Sequence, residues 1–174
     1  MTEVSEISNE HWDAWRSVFA MRRQLDLVLE RRLQQVADIS QSEFEILLAI
    51  FQEPGGQLRG HQLGERLGWE RSRVSHLITR MERRGLVARN ECTVDLRGSW
   101  IVLTADGKRA VLGSMRDHAA TIRRYFFDVL SDEELAVLAT ASNRIIEAIG
   151  ATACDETLAC DAEDAEAVPT SESA

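Results

Sequence analysis

The chain has 174 residues, with 20 Lys or Arg against 29 Asp or Glu and a formal net charge of −9. That length can bury a real core and is most simply one compact subunit with subdomains. The longest apolar run, Ile46 to Phe51, is far too short to span a membrane, and the acidic start lacks the basic segment of a signal peptide. A cytoplasmic protein with no membrane partner is expected. Three cysteines, Cys92, Cys154 and Cys160, are too few and odd in number for a secreted disulfide framework.

The acidity does not exclude nucleic acid, because it is unevenly placed. Residues 151–174 hold seven acids and no Lys or Arg, which leaves 20 basic against 22 acidic residues in the rest. Between Arg59 and Arg97 there are nine Arg against five acids, with His61 and His76 in addition. Attraction to phosphate acts over a Debye length of about 8 Å, so this local excess outweighs the total. Arginine outnumbers lysine 19 to 1 throughout the chain, which reads as a compositional bias rather than a binding signal.

In chain order, Asn9 to about Ala37 carries apolar residues at helical spacing, among them Trp12, Trp15, Phe19, Leu29 and Leu33, without Pro or Gly. Such a helix runs about 42 Å, too long for a small globule to bury along one side, and points to a partner helix. Ser40 with Glu43 has capping-box spacing. The helix it starts presents Phe44, Leu47, Leu48 and Phe51 on its apolar face and stops at Pro54-Gly55-Gly56. A short helix over Gly60 to Leu67 and a Gly68-Trp69 turn lead into the stretch ERSRVSHLITRMERR, Glu70 to Arg84.

On a helical wheel of that stretch, Val74, Leu77, Ile78 and Met81 form one apolar stripe. Ser72, Ser75, His76 and Thr79 lie opposite, with Arg73 and Arg80 along a shoulder. Short hydroxyls, an imidazole and guanidinium groups are what reach base edges and phosphates in a major groove. Ser72, Arg73, Ser75, His76 and Thr79 are therefore the candidate major-groove contacts, with Arg71 and Arg80 serving phosphates. An ordinary solvated surface helix is the alternative, and its neighbours decide. Gly85 is placed as a C-cap. Leu86–Glu91 and Trp100–Thr104 read as antiparallel strands around a polar loop, Cys92 to Ser99. Two helices, a glycine turn and a two-stranded ribbon make a winged helix-turn-helix.

Thr104-Ala105-Asp106-Gly107 opens a second long helix, periodic through Val129, and Ser131 with Glu134 caps a last one that reaches about Gly150. The expected fold is mainly α with a small β-hairpin wing (α+β). Residues 9–37 and 105–153 form a helical dimerisation domain, 38–104 the winged helix-turn-helix, and 154–174 a disordered acidic tail. The helices at the two ends have more apolar surface than one subunit hides, so a homodimer is expected.

The segments Glu43-Phe44-Glu45-Ile46-Leu47, Leu63-Gly64-Glu65-Arg66-Leu67-Gly68, Met81-Glu82-Arg83-Arg84-Gly85-Leu86-Val87, Asp95-Leu96-Arg97-Gly98 and Leu103-Thr104-Ala105-Asp106-Gly107, in this order and spacing, resemble the MarR family of winged-helix transcription regulators. The resemblance covers about residues 9–150. It implies a triangular homodimer that binds a pseudo-palindromic double-stranded DNA operator, most often as a repressor. It also implies that the helix matching Glu70–Arg84 enters the major groove and the wing Arg matching Arg97 the minor groove, with Asp95 steadying the wing. This chain departs from the family in having Leu96 where the wing often carries a second cation, and Glu70 where a small capping hydroxyl is common. The family often responds to a small aromatic or otherwise amphipathic effector, and by location Trp15, Arg16, Phe19 and His118 are candidate walls for it.

No catalytic constellation is present: His11, His61, His76 and His118 are not paired with Cys or carboxylates at ligand spacing, and no phosphate loop or dinucleotide fingerprint occurs. Neither a metal site nor a cofactor is expected, since Cys154 and Cys160 alone fall short of the four ligands of structural zinc. The rival from another class is a winged helix used as a protein-interaction module without sequence-specific DNA binding.

Overall fold

The computed structural model describes residues 7–91 and 99–165, and the chain divides into two compact units, Met1–Tyr125 and Phe126–Ala174. In the first, α1 (Asn9–Ala37) begins at an N-cap, Ser8, that accepts the His11 N–H. It ends at Asp38, whose left-handed backbone (φ 52°) lets its N–H return to the Gln34 carbonyl. α2 (Gln41–Gln52) opens with the expected capping box, Ser40 and Glu43 satisfying each other's backbone N–H groups. α3 (Gly60–Leu67) and α4 (Arg71–Arg83) are the helix-turn-helix pair.

The wing is part of a three-stranded antiparallel sheet in the order β1-β3-β2, with β1 Gln57–Arg59, β2 Val87–Glu91 and β3 Ser99–Leu103. β3 sits centrally, pairing Leu58 with Ile101 on one side and Arg89 with Ile101 on the other. β1 is a correction to the two-stranded ribbon. Three residues between a Gly-Gly turn and a helix are too short to show the alternation that marks a strand.

The core lies where α2, α4 and the sheet meet. Leu33 of α1, Phe44, Ile46, Leu47 and Ile50 of α2, and Val74, Ile78 and Met81 of α4 are all buried. The α4 stripe is as the wheel places it. α2 differs: Ile46 and Ile50 are fully buried while Phe51 is exposed, because other elements cover this helix on more than one side and its inward surface is wider than a stripe. α5 (Ala105–Tyr125) runs back along α1. It begins against the turn after α4, where a Cβ at Gly107 would stand 2.0 Å from the Leu86 carbonyl oxygen.

α5 ends at Tyr125 rather than at Val129. In the second unit, residues Phe127–Val129 form one 3-10 turn and α6 spans Asp132–Ala165. α6 continues past Gly150, over the first part of the expected disordered tail. The tail is rich in Ala, the best helix former, which carries the local preference across Gly150; residues 166–174 lie outside the described residues. Among the described residues no helix is long and apolar enough to cross a membrane.

Because α5 and the Leu86 carbonyl leave no room for a side chain, Gly107→Ala should destabilise the fold by about 1–3 kcal/mol through overpacking. A lowered urea midpoint with an unchanged slope is the expected result.

Candidate nucleic-acid interface

The turn before α4 is set by two glycines. Gly68 adopts φ +65°, and a Cβ at Gly64 would approach the Trp69 carbonyl to 2.9 Å. The Trp69 N–H donates to the Gly64 carbonyl at 2.9 Å, so α3 and α4 cross closely. Glu70 is the N-cap of α4 without a side-chain capping bond. With Val74, Leu77, Ile78 and Met81 turned inward, Arg71, Ser72, Ser75 and His76 stand exposed on the opposite face.

Arg71 and Ser75 share a concave cleft of about 550 Å³ with Arg59, His61, Arg89 and Ser99. One wall is α3 and α4, the other the sheet. Arg59 lies over the Trp100 ring at 4.8 Å. Arg89 donates to the Thr79 hydroxyl at 3.0 Å and pairs with Glu82 at 3.3 Å. Thr79 in turn donates to the Ser75 carbonyl at 3.0 Å. The Thr79 hydroxyl thus ties α4 to β2, with its donor and one acceptor position occupied inside the protein. Arg59, His61 and Arg89 are the cations that periodicity does not single out. Their only signal in the sequence is the local basic excess, because nothing in it says that a strand and two helices will wall one cleft.

Arg73 lies on the other flank of α4. Its guanidinium stacks on Trp69 at 4.1 Å and donates to the Ser42 hydroxyl at 3.3 Å. Together with His76, Arg80 and Arg83 it lines a second groove of about 640 Å³ against Ser40 and Ser42 at the start of α2. The face of α4 is therefore split, Arg71 and Ser75 toward the sheet, Arg73 and His76 toward α2. Asp95 and Arg97 of the wing, and Cys92, lie outside the described residues.

Comparison with known proteins bears on the fold that carries these residues. The MarR family profile matches residues 39–99. AbsC, a MarR family transcriptional regulator from Streptomyces coelicolor, is 32% identical and superposes with a TM-score of 0.79, covering 85% of this chain and 99% of AbsC. The chain belongs to the MarR family. Sco3205, a MarR family transcriptional regulator of the same organism whose crystal structure is in complex with DNA, is 28% identical with a TM-score of 0.79, covering 85% of this chain and 92% of Sco3205. An uncharacterised HTH-type transcriptional regulator of Bacillus cereus is 28% identical over 102 residues, 58% of this chain and 65% of the relative. The chain thus spans just under two thirds of the length of the Bacillus relatives it matches.

In this MarR-family chain the four candidate effector-wall residues are not all brought together. Trp15 and Phe19 stack at 4.2 Å on an exposed stretch of α1, and Arg16 is paired with Asp13 at 2.5 Å. Phe19 lines a groove of about 810 Å³ with Arg22, Arg23, Leu27, Trp69 and Arg73. His118 is not among the residues lining that groove; its ring lies 4.5 Å from that of Phe44 and it feels the charge of Glu45, which does line it.

The late arginines also part company. Arg84 donates to both carboxylate oxygens of Glu43, at 3.1 and 2.9 Å. Arg80 approaches the same carboxylate at 3.5 Å. Glu43 is 1% exposed. Burial alone would raise its pKa, but the Ser40 amide and hydroxyl and the Arg84 guanidinium outweigh it and hold the carboxyl below its ordinary 4.5.

Loss of hydration at the partly buried His118 lowers its pKa from the usual 6.5, only partly opposed by Glu45. Below that value the unfolded chain takes up a proton that the folded chain resists, so His118 costs stability as pH falls beneath about 6.5. The decline in unfolding free energy from pH 7 to 5.5 should therefore be shallower in His118→Phe, which keeps a ring against Phe44. Parallel pH profiles for the two proteins would contradict this.

Proposed function

We propose that the chain is a sequence-specific, double-stranded DNA-binding transcription regulator, acting as a homodimeric repressor that a small-molecule effector relieves. The observation that carries this reading is the exposed polar edge of α4, Ser72, Ser75 and His76, set beside a cleft whose walls bear Arg59, Arg71 and Arg89. α4 enters the major groove, with Ser72, Arg73, Ser75 and His76 at base edges. Arg71 and Arg80 serve phosphates, Arg97 enters the flanking minor groove, and Asp95 steadies the wing. Thr79 contributes by holding α4 to β2. That Sco3205 was crystallised in complex with DNA supports the DNA-binding reading.

Two subunits read the two halves of a pseudo-palindrome, with half-site centres roughly 10 bp or a multiple of it apart. The dimer is supported by apolar side chains that a lone subunit leaves in water: Trp12, Trp15, Val18 and Phe19 on α1 and Ile145, Ile146 and Ile149 on α6. Burying such a stripe against a second copy is favourable at about 25 cal/mol per Å².

The effector is a small aromatic carboxylate or a similar amphipathic anion, held in the groove of Phe19, Arg22, Arg23, Trp69 and Arg73. Arg73 belongs both to that groove and to the flank of α4. A ligand carboxylate that pairs with its guanidinium competes directly with DNA for it, which is a route to release.

Fluorescence anisotropy with a duplex that the chain itself selects from a randomised library tests this reading. The affinity should fall steeply between 50 and 200 mM salt, and Arg71→Ala or Arg97→Ala should each reduce the slope of log K against log salt by about 0.9. Substituting Ala at Ser75 or His76 should cost about 1–3 kcal/mol on the selected duplex and little on random DNA. Salt-insensitive binding, or no enrichment of any sequence, would favour the protein-interaction module instead.

A further inference from the structure

Glu43 and Arg84 have no part in the polar face of α4, yet they are among the most heavily bonded side chains in the winged helix. The guanidinium of Arg84, one residue past α4, grips Glu43 with one nitrogen. The other nitrogen donates to the Asp38 carbonyl and to the Asp38 carboxylate, the latter at 3.1 Å. Asp38 is the left-handed cap of α1, and Glu43 is the N3 residue of the α2 capping box. Glu30 of α1 adds a second tie by accepting the Gln41 N–H at 2.6 Å. The end of α1, the start of α2 and the end of α4 therefore meet on one arginine.

We infer that Arg84, with Glu43 and Asp38, is the joint through which α1 fixes the setting of the recognition helix, so that Arg84 and Glu43 are positioning residues for operator reading. This rests on the DNA-binding reading above. The start of α4 is held by the Gly64–Trp69 turn, and the joint holds its other end. A planar guanidinium paired with a buried carboxylate fixes orientation as well as distance, which a methylene contact would not. A shift of α1, whether from its dimer partner or from a ligand in the groove beside Phe19, is passed to the C-terminal end of α4 through Asp38. Without the joint the exposed cations of α4 remain, so charge-driven binding to any DNA persists while the fit to one sequence is lost.

The test uses the full chain with Glu43→Gln/Arg84→Met. Glutamine keeps an oxygen for the Ser40 N–H, and removing both charges avoids stranding a buried carboxylate, so the variant folds. The probes are a duplex selected from a randomised library by the wild-type chain and an unselected duplex of equal length. The double variant should lose at least tenfold on the selected duplex, keep its affinity for the unselected one, and keep the wild-type salt slope. Arg84→Lys, which reaches Glu43 but cannot span to Asp38 as well, should fall between the two. Amide hydrogen exchange at Asp38, whose N–H bonds to Gln34, should quicken together with that at Arg84.

A salt slope reduced by about 0.9 would instead place Arg84 on a phosphate, and unchanged discrimination in the folded variant would remove its positioning role. Either overturns the inference. Should the wild-type chain select no duplex, the DNA-binding reading fails by itself. The joint is then decided by exchange at Asp38, where an unchanged rate overturns it.

Discussion

A carboxylate taken out of water is tolerated only when its charge and lone pairs are met, and Glu43 is met from three directions. The Ser40 amide and hydroxyl cap it from its own helix, Arg84 reaches it from the end of α4, and Arg80 stands nearby. Breaking one side of such a pair costs about 3–5 kcal/mol, whereas replacing the whole pair by apolar groups is often neutral. The pair is therefore weak evidence for stability as such. Its effect lies in geometry: it fixes which way α4 leaves the core, and the composition of both grooves beside α4 follows from that setting.

The arginines of the basic window divide by task accordingly. Arg84 is engaged with carboxylates of the protein itself, and Arg66 pairs with Glu53 at 3.0 Å. Arg89 is shared between Thr79 and Glu82 while still lining the cleft. Arg71 faces the cleft, and Arg73 rests on Trp69. A net count treats these cations as equal, but only those whose partners are weak or exposed are offered to a phosphate at little cost. A guanidinium stacked on an indole with one neutral hydroxyl partner is a more exchangeable group than one held by a buried carboxylate. Arg73 thus lines the groove beneath α1 with partners it can exchange, while Arg84 does not.

Much of the fold is legible in the sequence because local chemistry dictates it. The Ser40–Glu43 and Ser131–Glu134 boxes mark helix starts that the structure keeps, each with its reciprocal side-chain bonds. The Val74, Leu77, Ile78 and Met81 stripe is buried, since its period matches the helix and the residues opposite are all polar. What escapes the sequence depends on pairing between distant segments. β1 is defined by its bonds to β3 rather than by its own three residues. The salt link from Arg84 spans 41 residues to Glu43, and no spacing rule foretells it. The same holds for the site. The exposed α4 residues follow from periodicity, but the cleft they share with Arg59 and Arg89 follows from where the sheet lies. Arg73 looks toward α2 because of Trp69 and Ser42, neither of which belongs to the wheel of α4.

The most direct test of a major-groove role for α4 is methylation interference on a library-selected duplex, since dimethyl sulfate marks guanine N7 in the major groove and adenine N3 in the minor. If α4 reads DNA as proposed, guanine N7 methylation interferes in two clusters with centres roughly 10 bp apart or a multiple of it. Adenine N3 methylation then interferes just outside them, where the wing lies. Interference confined to the minor groove, or none at all on a duplex the chain retains, would contradict it.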